Sequence, residues 1–220
     1  MSRQTLPLCV RTTGLLQANK TAAVATIATG GKWNTQVRDL SKQGQYNQAL
    51  ILYRQMLRSG ATPNAFTFPF ILKSAAALSL PLPGVQLHCH VIKCGCHSEP
   101  FVQTALISMY CRFSLLEKAY NVFDEIPDSD RLTVCYNALI SGFVQKNRLP
   151  HGLVLLNEMR GKGVSLNEVT LLGLVPGCTD PLQLRRTRYT VSSLKTQLNV
   201  NCTKVLDNKS MDAPFRSPLE

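Results

Sequence analysis

The sequence predicts an all-α fold, a right-handed solenoid of helix-turn-helix repeats. Three observations predict it. Landmarks of the stretch Trp33 to Asn64 return down the chain: adding 103 carries Asn34 to Asn137, Leu50 to Leu153, Met56 to Met159, Gly60 to Gly163 and Asn64 to Asn167. A shift of 70 carries Ala49 to Ala119, Leu40 to Tyr110 and Tyr53 to Phe123, and a shift of 35 carries Gly60 onto Gly95. Within each unit, apolar residues recur at helical spacing over two short stretches, and neither stretch can bury its stripe alone. Paired helices at a period near 35 residues form stacked arrays in which each unit covers the next.

The first unit, 30–64, places Val37 and Leu40 on one helix and Ala49, Leu50, Leu52, Tyr53, Met56 and Leu57 on the other. Gln43-Gly44 supplies the turn, Gly60 ends the second helix in a left-handed conformation, and Pro63 blocks continuation. The second unit, 65–99, opens with Phe66, Phe68, Phe70, Ile71 and Leu72 and runs through alanines. Pro81 is assigned to the loop and Pro83 to the first turn of a helix carrying Val85, Leu87, Val91 and Ile92. The third unit, 100–132, is shorter: one stripe is Ala105, Leu106, Ile107 and Tyr110, the other Leu116, Ala119, Tyr120, Val122 and Phe123, with Pro127 as terminator. The fourth, 133–167, repeats the first, Pro150 opening its second helix and Gly152 standing where the first unit has Ala49. A fifth unit starts at Glu168 and its pattern is lost after 178, so the array reads as shortened and 179–220 as an irregular or disordered tail.

Charge is unevenly spread. The formal net charge is +11, yet no acidic residue precedes Asp39, while Arg3, Arg11, Lys20, Lys32 and Arg38 do. Residues 1–29 are rich in Thr, Ala and Leu and lack acids, the composition of an organellar transit peptide, with a disordered tail as the plainer alternative. Eight cysteines (Cys9, Cys89, Cys94, Cys96, Cys111, Cys135, Cys178 and Cys202) show no disulfide-scaffold spacing and are expected as reduced thiols. No apolar run approaches the ~18 residues that cross a membrane, and the expectation is a soluble monomer.

The strings WNTQV…GQYNQALILYRQMLRSGATPN, AFTFPFILKSAA…GVQLHCHVIKCG, FVQTALISMYCRFSLLEKAYNVFDEIPDSD and YNALISGF…VLLNEMRGKGVSLNEVTLLGLVPGC resemble pentatricopeptide repeats. Their order resembles the plant subclass that alternates standard, long and short motifs, with 65–99 as the long and 100–132 as the short unit. Tetratricopeptide repeats share the period but lack the YNALISG and FDEIP type of strings. The resemblance covers roughly 30–178 and implies sequence-specific binding of single-stranded organellar RNA, one base per repeat. It implies that the fifth residue of a unit and its last residue read the base edge, and that the second packs on the base plane. On this sequence the reading pairs are Asn34 with Asn64, Thr104 with Asp130, and Asn137 with Asn167, and the packing residues are Phe66, Phe101 and Val134. The asparagine pairs imply a pyrimidine, cytosine over uracil, and Thr104 with Asp130 implies guanine; Pro69 with Glu99 offers no donor at the fifth place, and Gly31 cannot pack on a base. Arg131 and Leu132 look like an insertion that disturbs the end of the third unit.

Read from the residues alone, each position has a second explanation. Asn64, Asp130 and Asn167 precede helices and are good N-caps. Asn34, Thr104 and Asn137 fit solvent-facing helix positions, and Phe66, Phe101 and Val134 fit a core.

Relatives with long and short motifs often end in a cytidine deaminase-like domain, whose zinc site needs His-x-Glu and Pro-Cys-x-x-Cys. His97-Ser98-Glu99 matches the first half by letter, but the chain contains no Cys-x-x-Cys and no phosphate-cradling glycine loop. No catalytic residue, metal or cofactor is therefore assigned. The expected role is a recognition adaptor for RNA editing or processing, in a mitochondrion or alternatively a plastid, with the catalyst supplied in trans by a protein partner. The competing class is a tetratricopeptide-like protein-interaction scaffold.

Overall fold

The computed structural model describes residues 20–177, and side chains over 31–176. Residues 1–19 of the expected leader and the expected tail at 179–220 lie outside the described residues. Among the described residues there are nine α-helices and no strand. They are α1 (Lys20–Lys42), α2 (Tyr46–Arg58), α3 (Phe68–Ala77), α4 (Pro81–Lys93), α5 (Pro100–Arg112), α6 (Leu116–Asp124), α7 (Thr133–Gln145), α8 (Leu149–Gly161) and α9 (Glu168–Leu174). Short 3-10 turns follow at Asp128–Asp130 and Val175–Gly177. The odd-numbered helices contact one another in chain order, α1 to α3 to α5 to α7 to α9, and each even-numbered helix packs on its odd partner. The result is a two-layered solenoid whose core lies between the layers.

The same closure recurs at almost every helix end. At Gly44, Gly60, Gly95 and Gly163 the backbone takes φ between +69° and +78°, and Ser79, Ser114 and Asn147 adopt the same left-handed conformation at φ 53°, 63° and 58°. Each makes the paired hydrogen bonds of a Schellman motif, as in Gly60 N–H to Leu57 O at 3.1 Å with Ala61 N–H to Met56 O at 3.2 Å, and Ser114 N–H to Cys111 O at 3.1 Å with Leu115 N–H to Tyr110 O at 3.0 Å. Gly44, Ser79, Ser114 and Asn147 thus set one corner geometry between the two helices of each unit. Only the first of these corners carries a glycine that sequence alone could flag.

Packing follows the expected stripes with a few departures. Ala49, Tyr53 and Met56 are buried on α2, and Ala119, Val122 and Phe123 on α6. Leu57, Ile92 and Tyr120, placed on apolar stripes by spacing, are exposed instead. Pro81 does not lie in the loop. It is the first residue of α4, where a missing N–H breaks no bond and the ring presets the helical φ. Phe66 does not begin α3, which starts two residues later. Of the described cysteines, all free, Cys111 and Cys135 are buried, Cys94 and Cys96 half-buried, and Cys89 exposed. Gly152 is buried against α7, its missing Cβ leaving room for Val144 and Ile140, as the small residue at that place requires.

Three contacts set the closeness of neighbouring units. A Cβ at Gly142 on α7 would fall onto the side chain of Cys111 on α5. On α4, His90 Nδ1 lies 2.7 Å from the Tyr53 hydroxyl of α2, and His88 Nδ1 lies 2.8 Å from the Tyr110 hydroxyl of α5. One helix is therefore tied by hydrogen bonds to the units on both sides.

Gly142→Leu forces α5 and α7 apart and is expected to cost about 1–3 kcal/mol in urea unfolding. Gly161→Ala, at a site with nothing within 4 Å, is the matched control and leaves stability equal or slightly higher. Burial holds the pKa of both His88 and His90 below the ordinary histidine value. The unfolded chain therefore takes up protons first, so this contribution is whole above pH ~6.5 and declines as the pH falls below it. Urea midpoints should drop between pH 7 and pH 5, and a His88→Gln, His90→Gln chain should show a flatter profile over that interval. Asp128 titrates in a separate window, because the hydrogen bond from Lys162, then Arg131, holds its pKa below the ordinary aspartate value.

Candidate nucleic-acid interface

The row of odd-numbered helices brings the fifth residue of one unit against the third residue of the next. At the junction of the first and second units, Asn34 Nδ2 donates to Asn64 Oδ1 at 3.1 Å, and the Thr67 hydroxyl donates to Asn34 Oδ1 at 2.6 Å. At the junction of the fourth and fifth, Asn137 Nδ2 donates to Asn167 Oδ1 at 3.0 Å, and the Thr170 hydroxyl donates to Asn137 Oδ1 at 2.6 Å. The two clusters are the same object, 103 residues apart. Asn34 and Asn137 are not solvent-facing helix residues: Asn34 is half-buried and Asn137 is 6% exposed, while Asn64 and Asn167 are exposed. Asn167 is also the N-cap of α9, joined to Thr170 in a capping box, so capping and membership of the pair coexist in one side chain.

The third junction is built differently. The half-buried Thr104 hydroxyl donates to Pro100 O at 2.9 Å and lies 3.3 Å from Cys135 Sγ, which holds the place of Thr67 and Thr170. Thr104 is not joined to Asp130. Asp130 sits in the 3-10 turn after Pro127, and its carboxylate accepts from the Ser129 hydroxyl. The residue immediately before α7, where Asn167 stands before α9, is Leu132, which is exposed. Burial, then the Thr104 hydrogen bond acting the other way, leaves the Cys135 thiol with a raised pKa. In the second unit Pro69 lies in the first turn of α3, and Glu99 is the exposed N-cap of α5 with no side-chain capping bond.

The packing candidates are not core. Phe66 is 73% exposed, Phe101 78% and Val134 48%. Val169 completes the series at 57%; it is the second residue of the fifth unit, and the shift of 103 from Phe66 is the signal that marks it. Thr67 and Thr170, fully or almost fully buried, are the other residues that sequence reasoning missed, although the same shift relates them. Gly31 is exposed and offers no surface.

Charge along this face is positive. One and two turns beyond the fifth position on the same helix face come Arg38, which also pairs with Asp39 at 3.0 Å, and Lys42 on α1, Lys73 on α3, and Arg112 on α5, all exposed. Arg131, by contrast, is turned inward. Its side chain is 9% exposed, paired with Asp124, Asp128 and Glu158 and lying over the Phe123 ring. Among the described residues no three His, Cys, Asp or Glu side chains gather into a group that could hold a metal ion. None of the described helices is long and apolar enough to cross a membrane.

Family models match at three places: the PPR repeat at residues 33–60 and 104–130, and the PPR repeat family at 131–180. A pentatricopeptide repeat-containing protein of Arabidopsis thaliana, named as mitochondrial, is 52% identical over 162 residues, which are 74% of this chain and 26% of that protein. A second from the same plant, named as chloroplastic, is 35% identical over 66% of this chain and 24% of its own length. The chain spans about a quarter of the length of these curated relatives. Among solved structures, the pentatricopeptide repeat protein PPR10 in complex with an 18-nt psaJ RNA element is similar in fold. Its TM-score is 0.62 at 21% identity, over 84% of this chain and 28% of that one. The helical pairs, the repeat matches and the relatives agree: this chain is a solenoid that carries pentatricopeptide repeats.

Proposed function

We propose that this chain binds single-stranded RNA base by base along the row of odd-numbered helices. The observation that carries the reading is the recurrence of one amide cluster at two junctions, each followed by an exposed apolar side chain at the second place of the next unit, Phe66 or Val169. A base stacks against that side chain, between Val134 and Val169 at the later junction and on Phe66 alone at the first, and turns its edge toward the amides. Arg38, Lys42, Lys73 and Arg112, further along the same face, then neutralise the phosphates. The solved complex of PPR10 with an RNA element supports this reading by shared fold.

Asn34 with Asn64, and Asn137 with Asn167, read a pyrimidine, cytosine in preference to uracil. The third place reads through Thr104, with Leu132 standing before α7 where Asn167 stands before α9, and its preference for guanine is weak. Pro69 and Glu99 read little. With the first unit toward the 5′ end, the core is pyrimidine, unread, weakly read, pyrimidine. The chain acts as a recognition adaptor of the standard, long and short subclass, and catalysis of editing or processing comes from a protein in trans. Names of relatives place them in the mitochondrion and in the chloroplast, and the 52% identical one favours the mitochondrion for this chain.

Fluorescence anisotropy with short oligoribonucleotides tests the reading. Phe101→Ala, at an exposed site, should lower affinity for every sequence about tenfold, in line with a stacking contribution of about 1–3 kcal/mol per base, with the urea midpoint unchanged. Absence of RNA binding at low salt by the unaltered chain would sink the reading in favour of a protein-interaction scaffold. Lys73→Ala and Arg112→Ala should each weaken all sequences equally and reduce the slope of log K against log salt by about 0.7. A change confined to one base would instead make the altered side chain a base reader.

A further inference from the structure

We propose that Thr67 and Thr170 are positioning residues that set base preference, because each hydroxyl locks the orientation of the asparagine amide in front of it. The proposal rests on the RNA-binding reading above and deepens it.

The hydrogen bonds of the cluster run outward from two main-chain N–H groups, whose direction is fixed. Asn167 N–H donates to Thr170 Oγ1 at 3.2 Å, and a main-chain N–H can only donate. The hydroxyl's single hydrogen has two acceptors in reach, Asn137 Oδ1 at 2.6 Å and Asn167 Oδ1 at 3.1 Å, and the shorter contact takes it. Asn137 Nδ2 is then the end that faces Asn167. Asn167 presents its oxygen there because Thr170 N–H already donates to it at 3.1 Å. The chain of donors closes on itself.

The first junction repeats it with one change of donor. Asn64 N–H donates to Thr67 Oγ1 at 3.2 Å, Thr67 donates to Asn34 Oδ1 at 2.6 Å, and Phe66 N–H donates to Asn64 Oδ1 at 3.0 Å. Asn34 Nδ2 closes the ring on Asn64 Oδ1 at 3.1 Å. The oxygens of both outer amides are thus turned inward, and each outer NH2 group faces away at an exposed residue.

An edge built this way presents donors. Cytosine meets donors with two adjacent acceptors, N3 and O2, whereas guanine opposes them with N1–H and N2–H and uracil places an N–H between its carbonyls. The lock therefore favours cytosine. Freed from its hydroxyl, the inner amide can turn its oxygen outward and accept from guanine or uracil. At 0% and 1% exposure neither threonine can touch RNA itself.

The third residues of the units sort in step with this role. From the second unit to the fifth they are Thr67, Val102, Cys135 and Thr170, and threonine occurs only where the unit before it supplies two asparagines. Val102 follows the Pro69 unit and Cys135 follows the Thr104 unit, where no amide needs orienting. A hydroxyl kept only for capping would have no reason to follow the fifth residue of the preceding unit.

The test uses the full chain with Thr170→Val and Thr170→Ser, and has two readouts. In the free protein, hydrogen exchange at the Asn137 side-chain amide, followed by NMR with ¹⁵N-asparagine labelling, should be at least about tenfold faster in Thr170→Val and within about twofold of the original in Thr170→Ser. In binding, oligonucleotides C-A-G-X with X varied should show cytosine over guanine by on the order of tenfold for the unaltered chain and for Thr170→Ser. For Thr170→Val the ratio should fall to within about twofold, with preference at the first C unchanged. Unchanged amide exchange, or an unchanged ratio at X in Thr170→Val, overturns the proposal. An unaltered chain that binds none of the oligonucleotides ends the RNA reading and the specificity role with it, while the exchange measurement still decides whether the hydroxyl holds the amide.

Discussion

Everything in this molecule depends on how closely neighbouring odd-numbered helices approach. A pair of helices from one unit exposes an apolar face on each side, and only the next unit can cover it. The approach of α5 to α7 is set by Gly142 against Cys111, and α4 is tied to both neighbours by His90 with Tyr53 and His88 with Tyr110. Were the helices an ångström or two further apart, Thr170 could not reach Asn137, because a hydroxyl-to-carbonyl bond at 2.6 Å has little slack. The polar rungs are thus a consequence of apolar packing. Helix packing and the amide clusters share one set of distances.

Much of the fold was legible because the repeat amplifies weak signals. A single Gly60 is an ordinary helix stop, but Gly60, Gly95 and Gly163 at related positions mark a period. The corner inside each unit was harder to read. The backbone asks for the same left-handed residue at Gly44, Ser79, Ser114 and Asn147, and three of the four are not glycine. Serine and asparagine accept that conformation at a modest cost when the Schellman bonds on either side hold it. Sequence reasoning that looks for glycine meets only the first. Pro81 was missed for a related reason: proline punctuates both loops and helix starts, and only the position of Leu80 as N-cap decides between them.

At the site, spacing identified which residues belong together but not how. Asn34 with Asn64 and Asn137 with Asn167 were paired by repeat position, and the structure joins each pair directly. Their burial was not legible, since an asparagine in a helix reads as polar and therefore outward. A buried amide is tolerable when its oxygen and nitrogen both find partners, and the partner of the oxygen lies on the next unit. That partner was hidden because threonine at the third place of a helix-starting segment looks like an ordinary cap. Exposure of Phe66 and Phe101 was equally invisible, because a large aromatic ring near a helix start reads as core.

The third unit shows what the array does when the pattern is cut short. Its second helix, α6, has 9 residues, whereas α2, α4 and α8 have 13 each. There is no glycine to close α6, so its last carbonyls need another donor. Arg131 supplies it, donating from Nε to Ile126 O at 2.9 Å and from NH2 to Asp124 O at 3.1 Å. The same guanidinium pairs with Glu158 of α8 at 3.4 Å, so it bridges the gap left by the missing turn. Lys162 completes the network at 2.8 Å from both Asp128 and Glu158. The consequence reaches the seam. Because Arg131 must fold inward beneath the turn, the chain arrives at α7 through Leu132, and the polar residue of that junction is left two places upstream at Asp130. Shortening one helix therefore leaves that junction with Leu132, where the junction before α9 has Asn167.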